Sequence, residues 1–163
     1  MKGIIHIRID DRLIHGQVAS RWSTGLKATR IMVINDQVAN DDIQKSVLRM
    51  VAPVGISTSI ITREKAVNNI SAGKYDGQRV LVVLKSPLDV LNLIENGLDI
   101  KEVNVGNMAN RDNTVQIKRS VNVTPEEVDA FRKLLSLGVK LTAKMVPDEA
   151  DSLLEDFLVK AGL

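Results

Sequence analysis

The chain of 163 residues contains no cysteine and only four aromatic residues: one tryptophan, one tyrosine and two phenylalanines. Without cysteine there is no disulfide scaffold, zinc–thiolate site, iron–sulfur cluster or cysteine nucleophile. So few aromatic rings do not provide a stacking platform for single-stranded nucleic acid. The sequence also lacks the Gly-rich phosphate loops of nucleotide-binding proteins and the Gly-x-Ser-x-Gly motif of hydrolases. The function must therefore depend on other residue types.

The charge and hydropathy of the chain argue against nucleic-acid binding and against membrane insertion. Lys and Arg number 22 against 20 Asp and Glu, and the net charge of +2 is too small for a protein that binds by neutralising phosphates. Apolar runs such as residues 80–84 are far shorter than the roughly 20 residues of a spanning helix. No signal peptide is predicted, because His6, Arg8 and Asp10 interrupt the N-terminal apolar stretch. We therefore expect a cytoplasmic protein.

Apolar runs alternate with amphipathic segments along the chain, which indicates an α/β fold. The predicted strands cover residues 3–9, 31–34, 56–61, 79–84, 102–105 and 139–146, and residues 114–123 are predicted to hold one or two short strands. Several of them are apolar without interruption, as in parallel sheets that helices cover on both faces. The helix predicted over residues 41–51 is amphipathic, and we expect its apolar side to be buried. That side carries Ile43, Val47, Met50 and Val51. The prediction is a single domain, residues 1–163, with an open, mostly parallel sheet of about seven strands.

The loop after the first strand is the strongest candidate site, because open α/β folds bind ligands at the carboxyl ends of their strands. It runs from Asp10 to Gln17 and reads Asp-Asp-Arg-Leu-Ile-His-Gly-Gln, which places His15 at the start of a helix. A helix N-terminus favours a nearby anion by about 0.3–1 kcal/mol, and Arg12 can contact a phosphate with two N–H groups. Gly16 leaves room for a bulky anion. This setting suits a histidine that carries a phosphoryl group.

The same residues also have a simpler interpretation. A single loop histidine is often only solvated or hydrogen-bonded locally, and Asp10 and Asp11 can serve as helix caps paired with Arg12 at the surface. His6 lies within the first strand, away from its carboxyl end, and we interpret it as structural. The residue types alone leave both interpretations of His15 open.

A longer pattern extends beyond the loop. Residues 9–18 read Ile-Asp-Asp-Arg-Leu-Ile-His-Gly-Gln-Val, and Trp22 follows. Further characteristic segments are Asn35-Asp36, residues 38–41, Gln44-Lys45, Ala52-Pro53, residues 103–108, residues 138–141 and Val146-Pro147. This pattern resembles the IIB component of the mannose/fructose/sorbose family of the bacterial phosphoenolpyruvate-dependent sugar phosphotransferase system (PTS). The resemblance covers essentially the whole chain, and the loop motif is long and specific.

The resemblance implies a function as a phosphoryl carrier. His15 would accept a phosphoryl group on Nδ1 from a phosphohistidine of the IIA component and pass it to a sugar held by the membrane components IIC and IID. Arg12 would neutralise the phosphoryl oxygens, and Asp10 would orient the loop or the imidazole ring. Gly16 and Gln17 would contribute backbone N–H groups. No metal or cofactor is implied, no nucleic-acid partner is expected, and the protein would associate with the permease without inserting into the membrane.

Several points stay open at this stage. Asn35, Asp36, Gly106 and Asn107 follow other strands and are expected at the rim of the same site, although simple turn chemistry explains them equally well. Leu13 and Ile14 are either available to the IIA partner or buried beneath the loop. The identity of the sugar is not encoded in the loop, and the sequence is compatible with a homo-oligomer.

Two alternatives from other classes remain. An aspartyl-phosphate receiver also has acidic residues after its first strand, here Asp10 and Asp11, and a lysine after a later strand, here Lys85. It would require magnesium, but the third predicted strand has no aspartate at its end and His15 would have no role. A non-enzymatic ligand-binding domain would show no covalent phosphorylation.

Overall fold

The computed structural model describes residues 1–16 and 20–163. The strands in this part of the chain are β1 (Ile4–Asp10), β2 (Arg30–Ile34), β3 (Ser57–Ile61), β4 (Val80–Leu84), β5 (Glu102–Asn107), β6 (Val115–Lys118), β7 (Val121–Val123) and β8 (Lys140–Thr142). The helices are α1 (Gly16–Gly25), α2 (Asp36–Ala39), α3 (Asp42–Val51), α4 (Arg63–Ser71), α5 (Pro87–Glu95), α6 (Pro125–Ser136) and α7 (Leu154–Lys160). None of the helices in the described residues has the length and apolar character needed to cross a membrane.

The main sheet is open and parallel, which confirms the predicted fold class. Its strand order is β3-β2-β4-β1-β5-β8, and every pair of neighbours is parallel. The described residues place six strands in this sheet rather than about seven. The difference lies in residues 114–123, where β6 and β7 pair antiparallel with each other and form a separate ribbon. The ribbon adjoins the main sheet at Met108, just after β5, whose N–H donates to the Ser120 carbonyl and whose carbonyl accepts from the Asn122 N–H.

The last strand of the sheet is shorter than predicted. The predicted strand extends to residue 146, but β8 ends at Thr142. Beyond this point the carbonyl groups of Lys144 and Met145 accept hydrogen bonds from Arg8. β8 forms one edge of the sheet and is hydrogen-bonded there to β5.

Apolar side chains cover both faces of the sheet, because successive residues of a strand point to opposite sides. On one face, Met32, Ile34, Val82 and Leu84 pack in the same cluster as the buried side chains of α5, α6 and α7. On the other face, Ile31, Val33, Leu81 and Val83 pack with Trp22 of α1 and Leu48 of α3. Helices therefore lie on both faces, as the sequence predicted.

The helix starts follow their capping residues. Thr124 accepts a hydrogen bond from the N–H of Glu127 at 3.2 Å, and the Glu127 carboxylate accepts one from the N–H of Thr124 at 3.0 Å. Pro125 occupies the first turn of α6, where its missing N–H is not needed. Ser86 caps α5 by accepting a hydrogen bond from the N–H of Leu88, and Thr62 caps α4 by accepting one from the N–H of Lys65. Each of the three helices therefore begins directly after a hydroxyl side chain that satisfies a free N–H group of its first turn.

The prediction for α3 is wrong in one important respect. The helix packs against the rest of the protein through Leu48, whereas the apolar side expected to be buried faces solvent. The exposed fractions are 78% for Ile43, 54% for Val47, 84% for Met50 and 38% for Val51. The sequence pattern identified an apolar side correctly but could not show which surface it meets.

Candidate active site

The candidate site lies in the loop between β1 and α1, at the carboxyl edge of the sheet. The loop turns back after Asp10, where the N–H of Leu13 donates to the Asp10 carbonyl at 2.9 Å. Leu13 adopts a left-handed conformation with φ of 61°, which costs a residue other than glycine about 1–2 kcal/mol. Its side chain is buried, and burial of a leucine contributes about 1.5–3 kcal/mol. Packing therefore holds the turn in its strained shape.

Leu13 and Ile14 together anchor the loop from below. Both side chains are buried in the cluster that contains Trp22 and Leu48. Of the two alternatives for this pair, the structure supports burial beneath the loop. These two side chains are therefore not available for contact with a partner.

Asp10 connects the charged groups of the site. Its side chain is 2% exposed and accepts hydrogen bonds from Arg8 Nη2 at 3.0 Å, from Arg12 Nε and Nη2 at 2.9 Å each, and from His15 Nε2 at 3.2 Å. Burial by itself raises the pKa of Asp10, but the hydrogen bonds from His15 and Arg12 and the charge of Arg8 outweigh it and hold the pKa well below its usual range. Asp10 is therefore an ionised carboxylate in the folded protein.

The bond to Asp10 determines which nitrogen of His15 is available. An ionised carboxylate only accepts hydrogen bonds, so the Nε2 that faces it must carry a hydrogen. In the neutral ring, Nδ1 then holds the free electron pair. The backbone of His15 is extended, and its ring makes no capping bond to α1, so the ring is free to point toward Asp10. The side chain is 24% exposed, which leaves it accessible from solvent.

Arg12 and Gly16 border the exposed side of the histidine. The Arg12 side chain is 34% exposed, and two of its three guanidinium nitrogens bond Asp10. Its remaining N–H groups can contact an oxyanion while the bond to Asp10 holds the guanidinium in place. A Cβ added at Gly16 would meet no atom within 4 Å among the described residues. The space predicted for an incoming anion is therefore open. Gln17 lies outside the described residues.

Arg8 is a buried member of the site that the sequence analysis did not identify. It is 2% exposed and donates to Asn104 Oδ1 at 2.6 Å, to the Lys144 carbonyl at 2.9 Å and to the Met145 carbonyl at 3.0 Å, besides Asp10. Burial lowers the pKa of Arg8 to about 10 against the opposing effect of Asp10, so the guanidinium is charged at neutral pH. The signal in the sequence was the alternation of His6, Arg8 and Asp10, which places three polar side chains on one face of a buried strand.

Gly106 and Trp22 shape the pocket of Arg8. A Cβ at Gly106 would overlap the Arg8 guanidinium, so the glycine allows the arginine to cross β5. The guanidinium lies 4.8 Å from the centroid of the Trp22 ring, and the Trp22 Nε1 donates to the Met145 carbonyl at 3.0 Å. His6 stacks on the same ring at 4.9 Å, and burial, followed by the charges of Arg8 and Lys144, lowers the pKa of His6 to about 4. His6 is therefore a neutral structural residue at pH 7, as interpreted.

Of the residues expected at the rim of the site, some contact the His15 loop and others do not. Asn107 adjoins the loop, because its Nδ2 donates to Asp11 at 2.9 Å and its carbonyl accepts from the Asp11 N–H at 3.1 Å. Asn35 caps α2, and Asp36 accepts two hydrogen bonds from the Arg63 side chain. Within the described residues, neither Asn35 nor Asp36 forms a hydrogen bond with the His15 loop. The same residues contain no group of three or more His, Asp or Glu side chains that could hold a metal ion.

Comparison with known proteins gives a consistent result. The family model described as "PTS system sorbose subfamily IIB component" matches residues 4–163. The fructose-specific EIIB component of Bacillus subtilis is 37% identical over 158 residues, which cover 97% of this chain and 95% of that protein. The mannose-specific EIIAB component of Escherichia coli is 39% identical over 153 residues, or 94% of this chain. The chain spans about half of that relative, 47% of its length.

A solved structure agrees with the fold described above. The crystal structure of the IIBSor domain of the sorbose permease from Klebsiella pneumoniae superposes with a TM-score of 0.92 at 37% sequence identity. The superposition covers 98% of each chain. Sequence and fold therefore resemble the same group of proteins along nearly the whole chain.

Proposed function

Because the chain belongs to the sorbose subfamily of PTS IIB components, we propose that it is a phosphoryl carrier in sugar uptake and that His15 is the residue phosphorylated. His15 accepts the phosphoryl group from a phosphohistidine of the IIA component and transfers it to a sugar bound by the membrane components IIC and IID. The receiver-like and purely ligand-binding alternatives have no support in the family to which the chain belongs.

The hydrogen bond between Asp10 and His15 Nε2, 3.2 Å long, is the observation that carries this proposal. It leaves the electron pair of Nδ1 directed away from the buried carboxylate. In the transfer, Nδ1 forms a bond to phosphorus while the phosphorus–nitrogen bond of the donor breaks, and the electron pair of that bond returns to the donor imidazole. Nε2 keeps its hydrogen, and Asp10 stabilises the charge that develops on the ring.

The surrounding groups stabilise the transferred phosphoryl group. Its charge lies on three oxygens, which need positive groups held in place beforehand. Arg12 supplies a cation that Asp10 fixes through two hydrogen bonds of 2.9 Å. The start of α1 follows His15 directly, and Gly16 leaves the approach unobstructed. We propose that backbone N–H groups of Gly16 and Gln17 complete the oxyanion contacts.

In the second transfer, a sugar hydroxyl attacks phosphorus, Nδ1 leaves with the electron pair, and the hydroxyl proton passes to solvent or to a group of the acceptor component. The relatives carry names that refer to mannose, fructose, sorbose and N-acetylgalactosamine, and we assign no sugar to this chain. We propose a cytoplasmic location at the permease, with IIA as donor and IIC/IID as acceptor.

The test is phosphorylation from labelled phosphoenolpyruvate in the presence of the general PTS proteins and a IIA component. The wild type should acquire a label that is stable in alkali and labile in acid, and magnesium chelation after the upstream proteins are charged should not prevent it. The chain has two histidines, so His15→Ala should abolish the label and His6→Phe should retain it. Nitrogen-15 NMR should locate the phosphorus on Nδ1. A label that persists in His15→Ala would refute the assignment.

A further inference from the structure

Asp11 is a charged residue of the His15 loop to which the proposed chemistry gives no role. Both of its carboxylate oxygens are engaged within the protein. Oδ1 accepts a hydrogen bond from Asn107 Nδ2 at 2.9 Å, and Oδ2 accepts one from the Ala109 N–H at 2.7 Å. The Asp11 N–H donates to the Asn107 carbonyl at 3.1 Å. Three hydrogen bonds therefore join this one residue to the chain segment at the end of β5.

The segment that Asp11 bonds is held firmly on its other side. It comprises residues 107–111, which we call the 107–111 segment. Met108 makes two backbone hydrogen bonds, of 2.8 and 2.9 Å, with the ribbon of β6 and β7. The Arg111 guanidinium donates to Glu127 Oε1 at 2.8 Å and to the Asn122 carbonyl at 3.1 Å, and Glu127 is only 5% exposed. These contacts do not involve the active-site loop, so the segment is a fixed support beside it.

The turn that carries Arg12 needs such a support. Asp11 and Arg12 are its two central residues, and the hydrogen bond from the Leu13 N–H to the Asp10 carbonyl closes it. Leu13 has a φ of 61°, a left-handed conformation that is unfavourable for leucine. A strained turn keeps its shape only when the surrounding contacts hold it. Burial holds Leu13 at one end, and the bonds of Asp11 to the 107–111 segment hold the other.

We propose that Asp11 is a positioning residue for phosphoryl transfer. Its carboxylate fastens the turn to the 107–111 segment and so fixes the backbone from which the Arg12 guanidinium reaches the phosphoryl oxygens. Asp10 orients that guanidinium, and Asp11 places the residue that carries it. A displacement of about 1 Å in a positioned group can cost about 100-fold in rate. This inference rests on the proposed function, because it assumes that His15 accepts a phosphoryl group that Arg12 contacts.

The substitution Asp11→Asn separates this role from a purely electrostatic one. It keeps the shape of the side chain, but an amide nitrogen replaces one oxygen and faces a hydrogen-bond donor of Asn107 or Ala109, so one bond is lost. It also removes a negative charge near the group that receives an anion. If only the charge mattered, the loss of repulsion would speed phosphorylation. If Asp11 positions Arg12, phosphorylation slows, so the two interpretations predict opposite signs.

The test measures the initial rate of His15 phosphorylation against the concentration of phosphorylated IIA. The maximal rate of Asp11→Asn should fall by about tenfold, less than on removal of Arg12 itself, because Asp11 acts only through that residue. The concentration that gives half-saturation should change by less than about twofold, because the Asp11 oxygens bond the protein's own 107–111 segment. Asp112→Asn is the matched control. It removes the same charge from an exposed residue next to this segment, one whose side chain makes no hydrogen bond or ion pair within the described residues, and it should behave as the wild type.

A double-variant cycle tests whether Asp11 acts through Arg12. In the Arg12→Ala background, Asp11→Asn should change the maximal rate by less than about twofold. Effects that multiply would show that Asp11 acts independently of Arg12, which overturns the inference. Urea denaturation establishes that each variant is folded under the assay conditions. A merely structural role would lower the stability and leave the maximal rate of the folded protein unchanged, which also overturns the inference.

Asn107→Ala keeps the inference testable if Asp11→Asn does not fold. It removes only the bond of 2.9 Å to Asp11 Oδ1, and the maximal rate should fall by about threefold, between the wild type and Asp11→Asn. Unchanged or faster phosphorylation in the folded variants would overturn the inference about Asp11 alone. Absence of label on the wild type would overturn the proposed function and the inference with it.

Discussion

Substitution of Gly106 by alanine would place a methyl group where the guanidinium of Arg8 lies. The overlap cannot be relieved by a small rotation, because the guanidinium is held on several sides by Asn104, Asp10 and the backbone of the segment after β8. We therefore expect Arg8 to leave its position in Gly106→Ala. The backbone of Gly106 itself does not require glycine, since its φ lies outside the left-handed region.

The size of the effect follows from the contacts that Arg8 would lose. Its ion pair with Asp10 is 3.0 Å long, and the two side chains are 3% and 2% exposed. Disruption of a buried pair costs about 3–5 kcal/mol, because the remaining charge is left in a site that water does not reach. We expect the free energy of unfolding to fall by this amount. Phosphorylation of His15 should slow by about 10- to 100-fold, since Asp10 no longer fixes the imidazole and Arg12 as firmly.

Urea denaturation gives the change in unfolding free energy, and the initial rate with phosphorylated IIA gives the change in activity. Gly25→Ala is the matched control. A Cβ at Gly25 would lie at an ordinary contact distance of 3.8 Å from Pro147, and Gly25 is the last residue of α1. This variant should be as stable as the wild type or more stable by up to about 1 kcal/mol.

A double-variant cycle tests the physical reason directly. If Gly106→Ala acts only by displacing Arg8, it should have little further effect once Arg8→Met has removed the guanidinium. The two changes would then be strongly non-additive. The reasoning would be refuted if Gly106→Ala cost less than about 1 kcal/mol, or if its effect simply added to that of Arg8→Met.

The other charged or titratable groups should respond in distinct ways. Arg12→Ala should slow phosphorylation of His15 by about 100-fold or more while urea denaturation shows a loss of no more than about 1 kcal/mol; normal kinetics would remove Arg12 from the mechanism. Asp10→Asn leaves a buried cation unpaired and should lower the unfolding free energy by about 3–5 kcal/mol at pH 7. Because the pKa of Asp10 is depressed on folding, its contribution is fully present above about pH 4 and declines progressively as the pH falls from there toward the depressed pKa of the folded state, so the difference in stability between Asp10→Asn and the wild type should shrink in acid. Burial lowers the pKa of His6 to about 4, so the unfolded chain binds a proton first, and stability should fall as the pH drops from about 6.5 to 4. His6→Phe should flatten this decrease in urea titrations at several pH values, and identical pH profiles would contradict it.

The features that could be predicted from the sequence are local. The alternation of strands and helices and the loop with His15 are each encoded in residues close together in the chain. The resemblance to the IIB family depends on such a continuous motif. The contact between Asp10 and His15 is also local, because the two residues are five positions apart and joined by one tight turn.

The features that could not be predicted depend on distant segments. Arg8 bonds carbonyl groups more than 130 positions away along the chain, and no pattern within β1 specifies these partners. The failed prediction for α3 has a related cause. The apolar side of a helix has the same periodicity whether it packs on its own core or on another protein. An exposed apolar side therefore cannot be distinguished from a buried one until the fold shows what surrounds the helix.

Trp22 gives this protein an intrinsic optical reporter next to the candidate active site. It is the only tryptophan in the chain, so its fluorescence comes from one place. Its ring contacts His6 and Arg8, and its helix begins beside His15. A protonated imidazole quenches indole emission, and loss of the Met145 contact would change the polarity around the ring. Acid titration, displacement of Arg8 and unfolding can therefore each be followed by fluorescence without attaching a dye.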